Sequence, residues 1–359
     1  MLSADAPLVL LQHGGLDNLS GKTGLAMLRY RQGPIVAVID PAHAGGDLRA
    51  ITGIDRDLPV VADMAAALAH GPAVAVVGLA PSGGRLPAEM RADVVAALRA
   101  GLNLASGLHS RLADDPEFAA VPLAPGQWIW DLRREPADLE VAAARCAQLP
   151  CRRLLAVGSD MAVGKMSACL ELQAAAQRRG LDARFVGTGQ AGILISGQGV
   201  ALDAVRVDYA AGAVEAAVLA AAEGADAQAL VLVEGQGSLA HPGSTATLPL
   251  MRGSQPTDLL LVHRAGQRQV RTRPGAPAVV IPPLPELIAA CEALAALGRP
   301  DGLRPRVRAI ALNTALLEPA AAAAEAEWLA AVTGLPVIDP VRQGAEPLLD
   351  ALLGLAGPT

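Results

Sequence analysis

Short apolar runs alternate with amphipathic segments along the whole chain. In the first part, apolar runs that predict strands lie at residues 8–11, 35–39, 73–78 and 102–105. Segments with helical spacing separate them, at residues 23–30, 64–69 and 87–100. Apolar strands joined by helical crossovers are typical of a parallel sheet that is covered on both faces. This part is therefore predicted to be a Rossmann-like α/β domain.

A second series of the same kind follows a polar, charged connector at residues 133–149, in which a helix is expected. Strands are predicted at 154–157, 183–187, 230–234, 259–263, 278–281 and 307–313, with a short one near 335–339. Helices are predicted at 167–179, 210–222, 286–297 and 319–333. A chain of 359 residues exceeds one typical domain. We expect an N-terminal domain over 1–134, a linker over 135–152 and a C-terminal domain over 153–359.

Composition narrows the class of protein. With 52% hydrophobic and 18% charged residues, the chain can bury a large core, and its net charge of −6 disfavours a general nucleic-acid binder. Apolar runs are too short for a membrane span, and the N-terminus lacks the basic region of a signal peptide. The four cysteines show no C-x-x-C spacing. These features predict a cytoplasmic protein with reduced thiols, no resident metal, no nucleic-acid partner and no membrane partner.

Lysine is rare, and both lysines follow a glycine. Among 29 basic residues only Lys22 and Lys165 are lysines, in the contexts S-G-K-T and V-G-K-M. A lysine is a compact point charge, whereas an arginine needs room for its planar fork. Two lysines kept next to glycine therefore suggest two tight anion sites near helix starts.

The second of these contexts resembles a phosphate-binding loop. An apolar run leads into G158-S-D-M-A-V-G-K-M-S167, and a helical pattern follows. In a P-loop, G-x-x-x-x-G-K-[ST], backbone N–H groups and the helix N-terminus surround phosphate oxygens. Here Met166 replaces the hydroxyl that usually binds Mg²⁺, and Ser167 lies about 100° further round the helix. Phosphate binding is predicted for Gly158, Ser159, Asp160, Met161, Ala162, Val163, Gly164, Lys165, Met166 and Ser167, whereas hydrolysis of Mg·NTP is less supported.

Acid–base candidates lie near predicted strand ends. Glu234 ends an apolar strand before the turn E234-G-Q-G237, Asp208 precedes a helix, and His241 follows the turn. Substrate-binding candidates come from glycine-rich loops, from the first Gly-Lys pair and from arginines after strands: Lys22, Arg133, Gly189, Gln190, Gln236 and Arg264. Asp40 ends the second strand, where Rossmann-type folds often bind ribose. The first turn is not G-x-G-x-x-G, so ordinary dinucleotide binding is unsupported.

Motifs over most of the chain resemble the DgcN-type family of D-glutamate N-acetyltransferases. In the first part they include L28-R-Y30, V38-I-D40, G78-L-A-P-S-G-G84, S106-G-L-H109 and D131-L-R133. In the second part they include the 158–167 loop, G187-T-G-Q-A-G192, V207-D-Y-A-A-G212, E234-G-Q-G-S-L239 and D339-P-V-R342. The 158–165 loop and the 234–237 turn are also similar to those of dethiobiotin synthetases. Met166 belongs to the pattern of the first family.

The resemblance implies acetyl transfer from acetyl-CoA to the amine of D-glutamate, in D-glutamate breakdown. It implies two small-molecule substrates, while the apolar helix at 210–222 suggests a homo-oligomer. A P-loop is compatible with CoA because CoA carries a pyrophosphate and a 3′-phosphate. Residues 58–80 are loosely similar to a CoA-binding domain of acyl-CoA ligases, so either domain could hold the donor.

The mechanism needs a base, an oxyanion donor and cations for two substrate carboxylates. The base candidates are Glu234, then Asp208, then His241, and Lys165 or the loop N–H groups would stabilise the oxyanion. Two alternatives stay open. The first is an ATP- and Mg²⁺-dependent ligase or kinase of the dethiobiotin-synthetase type, and the second is a nucleotide-regulated binding protein without turnover.

Overall fold

The chain divides by packing into two units. The computed structural model describes residues 2–81 and 83–355, so Ser82 of the 78–84 motif lies outside the described residues. The first unit comprises Met1–Glu135 and Gln190–Ala204, and the second comprises Pro136–Gly189 and Val205–Thr359. The segment Gln190–Ala204, which sequence analysis includes in the C-terminal domain, packs with the N-terminal residues.

The first unit contains a parallel sheet of six strands in the order β3-β2-β1-β4-β5-β6. Its strands are β1 (Leu8–Leu11), β2 (Ile35–Ile39), β3 (Val60–Val61), β4 (Val74–Val77), β5 (Asn103–Ser106) and β6 (Ile129–Asp131). The order reverses between β1 and β4, as in a doubly wound Rossmann-type sheet. The four predicted strands are confirmed, whereas β3 and β6 are too short to give a pattern.

The second unit contains a further parallel sheet of six strands, in the order β12-β11-β10-β7-β9-β8. Its strands are β7 (Arg152–Gly158), β8 (Ala183–Val186), β9 (Leu230–Val233), β10 (Asp258–Arg264), β11 (Arg306–Asn313) and β12 (Val337–Ile338). The expected strand at 278–281 is wrong, because only Val280 forms an isolated antiparallel bridge, to Gln269. Prolines at 277, 282 and 283 flank the segment and lack N–H donors, so a sheet ladder cannot extend past it on either side.

Helices cover the two sheets. They are α1 (Lys22–Tyr30), α2 (Leu48–Thr52), α3 (Met64–Leu68), α4 (Arg91–Arg99), α5 (Pro116–Ala119), α6 (Lys165–Arg178), α7 (Gln190–Ser196), α8 (Ala210–Ala221), α9 (Thr247–Ser254), α10 (Leu284–Ala296), α11 (Pro319–Thr333) and α12 (Glu346–Leu353). Of the helices in the described ranges, none is long and apolar enough to cross a membrane.

Two buried charged side chains hold segments whose positions the hydrophobic periodicity does not predict. In the first unit, the guanidinium of Arg31 donates to the carbonyls of Leu194 and Ile195 at 3.2 and 3.3 Å, which holds α7 near α1. In the second unit, the carboxylate of Glu215 accepts the N–H groups of Ala143 and Arg145. The connector therefore forms only a 3₁₀ turn, over Arg145–Gln148, in place of the expected helix.

Candidate functional site

The loop between β7 and α6 presents unpaired backbone donors. Ala162 and Gly164 adopt positive φ angles of 53° and 113°, which turn the chain into the first turn of α6. The backbone N–H groups from Ala162 to Met166 donate to no acceptor within residues 2–81 and 83–355. Such a series of N–H groups at a helix start is the arrangement that binds a phosphate group.

Lys165 is the first residue of α6, and its side chain is buried beneath this loop. Its Nζ donates to the carbonyl of Asp160 at 2.9 Å. A Cβ atom at Gly158 would lie 2.7 Å from Nζ, and one at Gly235 would lie 2.8 Å from Cδ. Glycine is required at both positions because a Cβ atom would also collide with a backbone carbonyl oxygen, that of Asp160 from position 158 and that of Ala156 from position 235. Burial lowers the pKa of Lys165 to about 8, against the opposing effects of Asp160 and Glu234.

Ser159 stands at the first motif position, where a standard P-loop has glycine. Its hydroxyl is buried and hydrogen-bonds the Nδ1 atom of His263 at 2.8 Å. Burial lowers the pKa of His263 to about 4, so the imidazole is neutral near pH 7. His263 lies near the end of β10, the strand next to β7, and it holds the beginning of the loop in place. Sequence analysis did not identify this residue.

The residues after β10 hold the rest of the loop. The buried carboxylate of Asp160 accepts the Gln267 side-chain amide at 2.6 Å and the Arg271 backbone N–H at 2.8 Å. The Arg264 guanidinium donates to the carbonyl of Ala162 at 2.5 Å. Arg264, predicted to bind substrate, is therefore placed against the loop.

Glu234 follows β9, the other neighbour of β7, and its carboxyl is buried. One carboxyl oxygen accepts the N–H groups of Thr188 and Gly189, at 2.8 and 3.1 Å. The other oxygen lies 3.4 Å from the side-chain nitrogen of Gln236. Burial raises the pKa of Glu234 to about 7, although the two N–H donors and the charge of Lys165 act in the opposite direction. A carboxyl of this kind can accept and release a proton near neutral pH.

The other two acid–base candidates have different environments. The Nδ1 atom of His241 accepts the Gly243 N–H at 3.0 Å, so its Nε2–H donates to the carbonyl of Arg271 at 2.8 Å. Both ring nitrogens are therefore engaged in holding loops together. Asp208 is exposed in the 3₁₀ turn Val207–Tyr209, before α8. Glu234 is the candidate whose carboxyl interacts with Lys165.

Three substrate-binding candidates belong to the first unit, namely Arg133, Gln190 and Lys22. Arg133 donates to the carbonyl of Gly107 and to the side chain of Gln190, both at 2.8 Å, and pairs with Asp203. Lys22 is exposed on the first turn of α1. The carboxylate of Asp40, near the reversal of strand order, is buried and accepts the N–H of Gly14 at 2.8 Å. Its oxygens are also used by the Ala42 N–H and the His43 ring of its own turn, which agrees with the absence of a dinucleotide motif.

The described residues contain no group of three or more His, Cys, Asp and Glu side chains that could hold a metal ion.

These features define a two-domain α/β protein with a Rossmann-like unit and a P-loop unit. The chain belongs to the DUF1611 family: a family model described as the DUF1611_C P-loop domain matches residues 140–349, and one described as the DUF1611_N Rossmann-like domain matches residues 41–135. The fold class predicted from the sequence is thereby confirmed.

Similar proteins extend over nearly the whole chain. A D-glutamate N-acetyltransferase from Tritonibacter scottomollicae is 35% identical over 350 residues, covering 97% of this chain and 98% of that protein. A protein of the same name from a Pseudoalteromonas species is 33% identical over 275 residues, covering 76% and 79%. The crystal structure of a DUF1611 family protein from Anabaena variabilis is 51% identical, with a TM-score of 0.88 and coverage of 98% and 100%. The family resemblance found in the sequence motifs is confirmed.

Proposed function

We propose that this chain is an N-acetyltransferase that transfers the acetyl group of acetyl-CoA to the amine of D-glutamate. One structural observation carries the proposal: the buried carboxyl of Glu234 follows β9, the strand paired with the P-loop strand β7, and its charge acts on the loop lysine, Lys165. The site thus combines a base for the acceptor amine with a loop for the phosphates of the donor, and acyl transfer from CoA needs both groups. The name shared by the two relatives supports D-glutamate as the acceptor.

The loop suits the pyrophosphate of a CoA donor. Its unpaired N–H groups, the N-terminus of α6 and the ammonium group of Lys165 all favour a negatively charged group. The donor needs no metal-bound hydroxyl to be held in this way. Met166, at the position where nucleotide hydrolases have Ser or Thr, is consistent with phosphate binding without hydrolysis.

In the proposed reaction, the ammonium group of D-glutamate first loses one proton to solvent. The neutral amine nitrogen then attacks the thioester carbonyl carbon and forms the new C–N bond, and ionised Glu234 accepts the proton that the bonded nitrogen gives up. Collapse of the tetrahedral intermediate breaks the C–S bond, and the proton held by Glu234 passes to the leaving thiolate. The products are N-acetyl-D-glutamate and CoA with a free thiol, so atoms and charges balance.

The test is release of free thiol from acetyl-CoA by the purified protein. It is measured with D-glutamate, with L-glutamate and without an amino acid, each with and without Mg·ATP. Release that depends on D-glutamate and not on ATP is the expected result. Absence of thiol release under every condition would overturn the proposal.

The same assay distinguishes acetyl transfer from the second candidate function, which is that of an ATP- and Mg²⁺-dependent ligase or kinase. That candidate is favoured by the position of Glu234, at the end of the strand next to the P-loop strand, where a carboxylate can face a nucleotide-bound metal. Consumption of ATP without thiol release would support it. The role in D-glutamate breakdown, the cytoplasmic location and the homo-oligomeric state stay predictions.

A further inference from the structure

The segment that follows β10 is unusual in charge. Residues 264–281, here named the arginine arm, contain Arg264, Arg268, Arg271 and Arg273 and no acidic residue, in a chain whose net charge is −6. The arm folds back on itself, since the N–H of Val270 donates to the carbonyl of Val279 at 3.0 Å. A cationic hairpin of this kind beside a phosphate loop has the charge of an anion-binding surface.

The arm is fixed against the phosphate loop by its backbone. The N–H of Arg271 donates to the Asp160 carboxylate, and the carbonyl of Arg271 accepts the Nε2–H of His241, both at 2.8 Å. Arg264 contacts the loop directly, through the carbonyl of Ala162. The position of Arg271 next to the loop is thus set by main-chain contacts, which leaves its guanidinium available.

The arginines of the arm differ in what their side chains contact. Arg268 stacks on the ring of Trp328, with its guanidinium carbon 5.0 Å from the ring centroid. Arg271 and Arg273 are exposed, and neither guanidinium makes a hydrogen bond or ion pair within the described part of the chain. Arg264 and Arg271 both contact the phosphate loop, and burial and then the charge of Arg271 lower the pKa of Arg264, against the opposing charge of Asp160. An anion with more than one negative charge would relieve that repulsion.

The order of strands gives the direction in which a donor would lie. Glu234 follows β9 on one side of the P-loop strand β7, and the arm follows β10 on the other side. In acetyl-CoA the reactive thioester is at one end, the pyrophosphate lies between, and the 3′-phosphate is at the opposite end. The arm contacts the loop at Asp160 and Ala162, so with the pyrophosphate in the loop and the thioester end directed toward Glu234, the adenosine end with its 3′-phosphate would reach the arm.

We propose that the arginine arm, through Arg271 and Arg264, binds the 3′-phosphate of the CoA donor and so distinguishes CoA from its dephosphorylated form. This inference rests on the proposed function, because it assumes a CoA thioester as donor. The carboxylates of D-glutamate are the competing anions. An effect of Arg271→Ala on KM for D-glutamate, rather than on KM for the donor, would assign Arg271 to one of these carboxylates.

The test compares acetyl-CoA with acetyl-dephospho-CoA as donors for the wild type, Arg271→Ala and Arg304→Ala. Arg304 is an exposed arginine of the same unit outside the arm, and it controls for loss of surface charge. Wild-type kcat/KM should be about tenfold higher with acetyl-CoA, as one charge-assisted hydrogen bond to phosphate predicts. Arg271→Ala should remove this preference by raising KM for acetyl-CoA, and Arg304→Ala should keep it.

Equal use of the two donors by the wild type would overturn the inference, and so would an Arg271→Ala variant that raises KM for D-glutamate instead. Should no donor release thiol, the proposed function fails, and calorimetry still tests the arm. Tighter binding of CoA than of dephospho-CoA by the wild type, lost in Arg271→Ala, would support the arm as a 3′-phosphate site. Equal affinities would contradict it.

Discussion

Helices α1 and α6 both begin at a Gly-Lys pair that follows the first strand of a parallel sheet. The first reads Gly21-Lys22-Thr23, which matches the end of a P-loop motif, and the second reads Gly164-Lys165-Met166, which does not. The backbone around the two pairs nevertheless differs. At α1 the donors are used: the N–H of Gly21 donates to Asn18, that of Lys22 to Leu19 and that of Gly24 to Gly78.

At α6 the corresponding donors are the backbone N–H groups of residues 162–166. They have no acceptor among the described residues. The lysines differ in the same sense, since Lys22 is exposed and Lys165 is buried with a lowered pKa of about 8. A phosphate site therefore requires backbone N–H groups that remain unpaired. The residue types of the P-loop motif do not by themselves show whether these N–H groups are paired. Thr23, whose hydroxyl completes the P-loop motif, lies at the start of α1, where the backbone N–H donors are already paired.

The largest expected effect is at Glu234, whose carboxyl interacts with Lys165. Glu234→Gln should lower kcat about 1,000-fold and leave KM for acetyl-CoA nearly unchanged, because a general base contributes about 100- to 10,000-fold. Steady-state kinetics of thiol release measures both values. A variant that keeps more than about a tenth of wild-type kcat would exclude Glu234 as the base.

Glu215 is the matched control, as a second buried glutamate of the same unit. Its carboxylate holds the connector through Ala143 and Arg145, so Glu215→Gln should keep kcat and lose about 1–3 kcal/mol of unfolding free energy. Glu234→Gln should do the opposite. Because the pKa of Glu234 is raised from 4.5 to about 7, ionisation lowers the stability of the fold progressively between these two pH values, so removing the charge should stabilise the fold at pH 8 by about 3 kcal/mol.

Replacing each lysine in turn tests directly whether the two helix starts differ in phosphate binding. Lys165→Met should lower kcat/KM for acetyl-CoA about 10- to 100-fold, because a buried charged donor to phosphate is lost. Lys22→Met should change kcat/KM less than about twofold, as expected for an exposed side chain. Equal losses in the two variants would mean that both helix starts hold donor phosphate.

The pH dependence of kcat/KM should show two limbs. Below about 7, activity should fall about tenfold per pH unit as Glu234 becomes protonated, and above about 8 it should fall as Lys165 loses its proton. Glu234→Gln should abolish the acid limb. An acid limb that persists in this variant would assign it to another group.

The smallest effect is expected at the α1 start. Asn18 accepts the N–H of Ser20 at 3.0 Å and so caps the 3₁₀ turn Leu19–Gly21 that leads into α1. Asn18→Ala should lower the unfolding free energy by about 1 kcal/mol and leave acetyl transfer unchanged. Thermal unfolding and the thiol assay together check this, and a loss of activity at full stability would indicate a ligand site at α1.

Sequence analysis predicted the fold where the pattern is local. Central strands such as β1 and β2 are continuous apolar runs, so their bounds are confirmed. The position of α7 was not predictable, because it depends on hydrogen bonds that Arg31 donates to carbonyls more than 160 positions away. The segment at 278–281 resembles a strand in hydrophobicity, but the prolines at 277, 282 and 283 flank it, so it forms only an isolated bridge.

The same distinction applies to the site. The P-loop and Glu234 could be found from sequence because a strand, a glycine loop and a helix follow one another directly. His263 and Arg271 contact the loop from more than 100 residues away, through a hydroxyl at Ser159 and a carboxylate at Asp160. No local pattern reports such contacts, and the role of His241 as an anchor for Arg271 was equally hidden.

The most direct test of the account is a crystal structure of the protein with CoA bound. The account predicts the pyrophosphate within hydrogen-bond distance of the N–H groups of residues 163–166 and of the Lys165 ammonium group. It predicts the thiol end on the side of Glu234. A pyrophosphate bound at the start of α1, next to Lys22, would contradict the account.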